Sequence, residues 1–251
     1  MSAPDLNAAA SAVDLARDVV RQGLAHLATT GSVDADQVIA YDLAHAAAAV
    51  ETARTLLDYG AKGDTEAKIT CAFVADAVAD VATKVYGREA AWGVDPTALD
   101  DARAFVAAYR DPAILASIDG AGPRHLADDS ELVQDTFRRF ADDKIRPVAE
   151  HIHRHNADIP EDVIAGLAEI GAFGLSVPEE HGGFAAGGES DYMGMVVATE
   201  ELSRGSLGVG GSLITRPEIL TRALVKGGTE EQKQDWLRKL ASAEVMAAVA
   251  V

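Results

Sequence analysis

Four groups of side chains in this sequence could carry chemistry, and their spacing weighs each one. The run EHIHRHN holds His151, His153 and His155. His151 and His155 fall one helical turn apart, close enough for two imidazoles to meet one cation. No carboxylate or third histidine stands at a defined spacing from them, so solvated histidines near a helix end are expected and no metal. Glu179 and Glu180 offer an acid/base pair. Adjacent side chains diverge, however, and Pro178 before them makes a loop, so a solvated turn is the better reading. Gly208 to Gly211 (GVGG) could let a backbone approach a ligand, but they lack the preceding strand and the full spacing of a dinucleotide fingerprint. Close packing against a substrate or a neighbouring helix is expected there instead. Cys71 is the one cysteine and lies in the apolar run Ile69 to Val74. It can form no internal disulfide, and a buried structural thiol is expected.

The elements that must position such groups are bounded by composition. The chain has 251 residues, 48% of them hydrophobic and 5% aromatic. That is enough apolar surface for one or two domains with buried cores. Lys and Arg total 22 against 40 Asp and Glu, a net charge of −18. Such a balance repels nucleic acid and anionic membrane, and an anionic substrate would have to be met by a few locally placed cations. The first residues, MSAPDLNAAASAVDLARD, lack the basic flank and apolar core of an export signal. No run of about 18 apolar residues occurs, so no membrane span is expected and a cytoplasmic protein is.

Periodicity predicts helices almost throughout. Residues 5 to 29 carry Leu6, Val13, Leu15, Val19, Val20, Leu24 and Leu27 with helical drift. A second helix, capped by Asp34 or Asp36, runs to Gly60, and a third spans Thr65 to Gly87 with Phe73, Val74, Val78 and Val81 inward. Asp100 to Tyr109 makes a shorter helix, and DPAILASIDGAGPR reads as a connector. From Asp128 a long helix has Leu132, Val133, Phe137, Phe140 and Ile145 inward, with a kink or break at Pro147. Ile159-Pro160 opens the next helix, and Thr229 with Gln232 forms a capping box for another.

The stretch from Gly171 to Arg222 organises the second half. Pro178, Gly182 and Gly183 make GAFGLSVPEEHGG a turn-rich loop, and Met193, Val196, Val197 and Glu200 then return to helical spacing. The chain closes on VMAAVAV, which reads as a strand. A strand needs a partner for its backbone groups, so further sequence is expected after it.

The series GLAEIGAFGLSVPEEHGG, ATEELSRGS and GTEEQKQDWLRKLASAEVMAAVAV resembles the amino-terminal domain of the acyl-CoA dehydrogenases, over Asp128 to Val251. The resemblance implies an all-α architecture: a helical extension over residues 1–123, the family's amino-terminal helical domain over 124–244, and the first strand of a middle β domain over 245–251. The extension's AVETARTLLDYGAKGDTEAKITCAFVADAVADVATKVYGREAAWGV resembles the closing helices of the family's carboxy-terminal domain. The family resemblance further implies FAD as cofactor, an acyl-CoA substrate, electron-transfer flavoprotein as electron acceptor and a homodimer or homotetramer. The catalytic glutamate is expected outside these 251 residues, and the flavin contacts within them at Val249, Ala250 and Val251.

The resemblance of the extension further implies the branch of the family that acts on a short, branched dicarboxylic thioester. The free carboxylate of such a substrate calls for a guanidinium, since an unpaired buried charge costs several kcal/mol. Two candidates arise from the resemblance: Arg204, where relatives place an arginine against a substrate carboxylate, and Arg216, in a segment whose counterparts line the acyl pocket. Gly205, Ser206 and Ile214 complete the expected substrate wall. An acyl-CoA oxidase would share these motifs, and a non-catalytic helical module is the alternative from another class.

Overall fold

The computed structural model describes residues 3–30, 33–120 and 122–248. It divides into two units, Met1–Arg124 and His125–Val251. Among the described residues no strand occurs, and β pairing is confined to an isolated bridge between Pro178 and Ala185.

In the first unit α1 (Leu6–Thr30), α2 (Gln37–Gly60) and α3 (Asp64–Val85) pack on one another, followed by α4 (Glu89–Trp92), α5 (Arg103–Tyr109) and α6 (Pro112–Ala116). Alanine explains how closely they pack: Ala9, Ala12 and Ala16 of α1, Ala46 and Ala53 of α2 and Ala75 of α3 are all buried. Short side chains let the ridges of one helix settle into the grooves of the next. Trp92 is fully buried in the same core. The Tyr109 hydroxyl donates to the Ala3 carbonyl at 2.8 Å and accepts from the Asp5 amide at 2.9 Å, which pins the start of α1. Cys71 is buried as expected, and burial pushes its thiol up.

Two expectations in this unit need correcting. Phe73 is 37% exposed, because the buried stripe of α3 runs through Cys71, Val74, Val78 and Val81 and leaves it at the edge. The stretch expected as a connector contains α6, which starts on Pro112 with the Asp111 carboxylate accepting from the Ala113 amide at 2.7 Å.

The second unit comprises α7 (Asp128–Phe140), α8 (Arg146–His155), α9 (Glu161–Glu169), α10 (Glu189–Ser206), α11 (Ser212–Gly227) and α12 (Glu230–Ala241). Two π-turns interrupt it, Ala141–Ile145 between α7 and α8 and Leu207–Gly211 between α10 and α11. The first absorbs the break expected at Pro147, which sits in the opening turn of α8 and cannot donate to the turn before it. The core is built from Phe137, Ile145, Val163, Leu167, Phe173, Leu202, Val209 and Ile214 with their neighbours.

Leu132 lies outside this core at 66% exposure. The inward side of α7 runs instead through Ser130, Gln134 and Phe137 to Ala141, roughly 200° around the helix from Leu132 if each residue turns it by about 100°. On α10 the buried residues are Met195, Val197, Ala198, Glu201 and Leu202, so Met193 and Val196 stand exposed. Residues 245–248, expected as strand, form a bend at Val245, whose amide bonds the Lys239 carbonyl at 3.3 Å, and then a segment with no regular structure, since no described residue offers them a ladder. Residues 249–251 lie outside the described residues.

Helix α12 keeps its expected capping box: the Thr229 Oγ1 accepts from the Gln232 amide at 3.2 Å, and the Gln232 side chain accepts from the Thr229 amide at 2.9 Å. Thr229→Ala leaves one of those amides without its acceptor and is expected to cost about 1 kcal/mol. Thermal unfolding checks it, and Thr229→Ser should restore the loss.

Candidate functional site

The site grows from the last turn of α10. Glu201 faces inward with a fully buried side chain, and its carboxylate is ringed by donors. Arg138 of α7 grips it with two bonds, Nη2 to Oε1 at 2.8 Å and Nε to Oε2 at 3.1 Å. Gln134 donates to Oε1 at 3.0 Å, and Arg204 donates from Nε to Oε2 at 2.9 Å. Burial pushes the Glu201 carboxyl up, but bonds from Arg138 and Arg204, the Arg138 charge and the Gln134 amide outweigh it and hold the group at about 2. Glu201 is an anion at any physiological pH.

Arg204 is also held from a second side. Its Nη2 donates to Asp142 Oδ2 at 2.9 Å, and Asp142 accepts from Arg146 at 3.0 Å. The bond from Arg204, then that from Arg146, holds the Asp142 carboxyl below its ordinary value. The expected substrate cation thus already spans two carboxylates.

Gly205 and the π-turn after it set the approach of the helices. A Cβ on Gly205 would lie 3.1 Å from Ala141 Cβ and 3.2 Å from Ile145 Cγ2. On Gly210 it would lie 2.6 Å from Ile145 Cδ1 and 2.9 Å from the Leu202 carbonyl oxygen. Of the glycines of GVGG, Gly210 therefore serves packing against Ile145, while a Cβ on Gly211 would meet Ser203 of α10 and one on Gly208 would meet nothing within 4 Å. At Ser206 the backbone turns extended (φ −169°, ψ 123°), and its Oγ accepts from the Val209 amide at 3.3 Å, starting the chain into the π-turn. Such turns recur at functional sites, because the extra residue re-aims the helix beyond it.

The helix re-aimed here is α11. Ile214 is 1% exposed and belongs to the core rather than to an open surface. Arg216 is exposed, and among the described residues its guanidinium makes no hydrogen bond or ion pair. Pro217 behind it is buried and removes the amide that would bond the Leu213 carbonyl. Val249, Ala250 and Val251, expected against the flavin, lie outside the described residues.

A cleft of about 900 Å³ opens at the other end of α11, lined by Ser176, Pro178, Asp191, Tyr192, Arg222 and Lys226 among others. Arg222 lies over the Tyr192 ring at 4.1 Å, pairs with Glu218 and donates to Ser176 Oγ at 3.4 Å. Asp191 gathers the amides of Ala186, Gly187 and Gly188 at 3.1, 2.7 and 3.1 Å, closing the turn-rich loop onto α10. Glu179 and Glu180 sit exposed in a short 3₁₀ turn. The rings of His151 and His155 stack at 4.4 Å, with His155 Nδ1 2.9 Å from the His151 carbonyl oxygen.

The Glu201 network is the feature that sequence reading missed. The sequence offered only a partial signal, since Glu200 and Glu201 both stand within one helical turn of Arg204 and the fold decides which of them faces inward.

Residues 127–244 match the family described as acyl-CoA dehydrogenase, N-terminal domain. The chain is 47% identical over 125 residues to a (2S)-methylsuccinyl-CoA dehydrogenase of Cereibacter sphaeroides, covering 50% of this chain and 22% of that protein. It is 37% identical over 129 residues to a mitochondrial isovaleryl-CoA dehydrogenase of Solanum tuberosum, covering 50% of this chain and 30% of the relative. A 3-(aryl)acrylate reductase of Clostridium sporogenes is 33% identical over 122 residues, covering 48% and 31%. The matched segment spans 22% to 31% of the length of these relatives. No helix among the described residues is long and apolar enough to cross a membrane.

Proposed function

We propose, from the premise that residues 127–244 belong to the acyl-CoA dehydrogenase N-terminal domain family, that this chain serves FAD-dependent α,β-dehydrogenation of a short dicarboxylic acyl-CoA. The substrate we favour is (2S)-methylsuccinyl-CoA, giving mesaconyl-CoA. The observation that carries this choice is the 47% identity to a (2S)-methylsuccinyl-CoA dehydrogenase, against 37% to an isovaleryl-CoA dehydrogenase over a segment of similar length. The exposed Arg216 of α11 supports it, because a second carboxylate requires a cation.

FAD, when bound, supplies the acceptor for the β hydride. The described residues fit such a group in one respect: Tyr192, Met193 and Val196 leave an exposed apolar face on α10, at 59%, 45% and 60%. A surface of this kind suits a flat ring or a covering domain and keeps water out once covered. The task of this chain is then to form one wall, orient the thioester and present a cation to its free carboxylate. Removal of the α proton falls to a carboxylate not among these residues, and electrons pass on to electron-transfer flavoprotein. Subunits pair as a dimer or tetramer, and residues 1–123 act as a helical extension akin to the family's closing helices.

Steady-state turnover of (2S)-methylsuccinyl-CoA beside 2-methylbutanoyl-CoA tests the substrate class, since the second replaces the free carboxylate by a methyl group. We expect kcat/KM to favour the dicarboxylic thioester by about tenfold or more, the value of one charge-assisted hydrogen bond. Equal or reversed preference removes the reading. Oxygen uptake without an added acceptor would instead mark an oxidase.

A further inference from the structure

We infer that the first unit carries a binding site for a short aliphatic amine, in a cavity between α1, α3, α5 and the loop 94–99. The alkyl tail lies on the aliphatic floor of the cavity, and the ammonium stays at its acidic mouth.

The first ground is the cavity itself. Its volume is about 440 Å³, within the range of small-molecule sites. The buried Val19 of α1 forms the floor with Val78 and Val85 of α3, and Leu99 and Val106 stand at the sides. The one hydroxyl on the helical wall, that of Thr83, already donates to the Ala79 carbonyl at 2.9 Å. Open aliphatic surface is unfavourable in proportion to its area, and a tail of methylenes that covers it removes that cost.

The second ground is the sign of the charge at the mouth. Glu89, Asp95 and Asp100 stand there against Arg103 alone. Arg103 pairs with Asp100 at 2.7 Å, which leaves the charge of two carboxylates unanswered. Glu89 Oε1 accepts from the Gly87 amide at 2.9 Å, and Asp95 Oδ1 accepts from the Thr97 amide at 2.8 Å and the Thr97 hydroxyl at 2.5 Å. The Thr97 hydroxyl, then the Thr97 amide, holds the Asp95 carboxyl below its ordinary value; at Glu89 its own amide leads, then that of Gly87. Both groups are anions at physiological pH, and Asp95 Oδ2 has no donor among the described residues. These charges attract an ammonium and repel a carboxylate or the phosphates of a CoA thioester.

The third ground is Tyr86. It caps α3 at the same mouth, 85% exposed, and its side chain makes no hydrogen bond or ring contact among the described residues. An aromatic face beside carboxylates suits an alkylammonium head. The order of the surfaces also selects a free amine over a lysine of a partner protein. A lysine enters ammonium first and would carry its charge onto Val19 and Val78, whereas a free amine enters tail first.

Calorimetric titration of the purified full-length protein with hexylammonium tests the inference. We expect saturable binding at one site with a Kd of about 1 mM or tighter, within reach of so small a ligand. Hexanol should bind about tenfold more weakly, for want of the charge, and hexanoate more weakly still. Ethylammonium, which has the charge without the tail, and Nα-acetyl-lysinamide, which stands for a partner's lysine, should both bind at least about tenfold more weakly than hexylammonium. Asp95→Asn should reduce the preference for hexylammonium over hexanol without changing the affinity for hexanol, and Ala82→Leu, which fills the cavity, should weaken both. No saturable binding in the wild type overturns the inference, as does hexanoate or Nα-acetyl-lysinamide binding as well as hexylammonium. Unchanged binding in a folded Ala82→Leu overturns it too. If that variant does not fold, the contrast between hexylammonium and ethylammonium decides, since equal affinity shows attraction to the acidic surface alone.

Discussion

Replacing Glu201 by alanine is expected to destabilise the unit His125–Val251 by about 2–3 kcal/mol, the loss of charge-assisted hydrogen bonds to a buried carboxylate whose arginine partners stay partly exposed. The carboxylate accepts from Arg138, Arg204 and Gln134, and its side chain is fully buried. Without it Arg138 and Arg204, 43% and 36% exposed, lose the anion they share. Calorimetry or denaturant unfolding measures the loss, which corresponds to a fall of roughly 5–10 °C in Tm. The double variant Glu201→Leu with Arg138→Met should recover much of it, because apolar groups of similar volume can replace a buried pair. If Glu201→Ala melts with the wild type, the network contributes nothing to stability.

The same group sets an acid limit. The folded value of Glu201, about 2, lies below the ordinary 4.5, so its contribution is complete above the ordinary value and disappears as pH falls from there toward about 2. A displacement of that size corresponds to about 3 kcal/mol at neutral pH. Glu201→Gln should therefore flatten the acid limb of the stability curve.

Gly183→Ala is expected to cost about 2–3 kcal/mol through overpacking against fixed backbone. A Cβ there would lie 2.0 Å from the Val177 carbonyl oxygen and 2.6 Å from its carbonyl carbon. That oxygen already accepts from the Ala185 amide at 2.9 Å, and the Phe184 amide donates to Gly174 at 3.0 Å, so neither side of the loop can move aside alone. Gly208→Ala makes the matched control, since a Cβ there meets nothing within 4 Å. Thermal melts should separate the two variants by about 5 °C or more, and identical melts would show that the loop yields freely.

The sequence was most legible where a local rule decides the outcome. Thr229 and Gln232 close a box within one turn, Pro147 cannot continue a helix, and alanine-rich faces admit close neighbours; each of these depends on residues within a few positions. It was least legible where a distant partner decides. Leu132 looked inward because it is apolar, yet Gln134 takes the inward side, drawn by a carboxylate 67 positions away. Arg204 was identifiable by type and place, while its engagement is settled by Asp142, 62 positions away. Met193 and Val196 obeyed helical spacing correctly but mark the open face of α10, because the spacing of one face cannot say which of two apolar faces is covered. Glycine composition announced that something approaches GVGG closely; that the visitor is Ile145 needed the fold.

Mixing the purified flavin-loaded enzyme with (2S)-methylsuccinyl-CoA in the absence of oxygen tests the central claim most directly, since the flavin absorbance reports reduction by substrate without any electron acceptor. We expect the oxidised flavin band to bleach within the mixing experiment, at a rate well above that with 2-methylbutanoyl-CoA at equal concentration. A band unchanged by the dicarboxylic thioester, or bleached faster by the monocarboxylic one, would contradict the account.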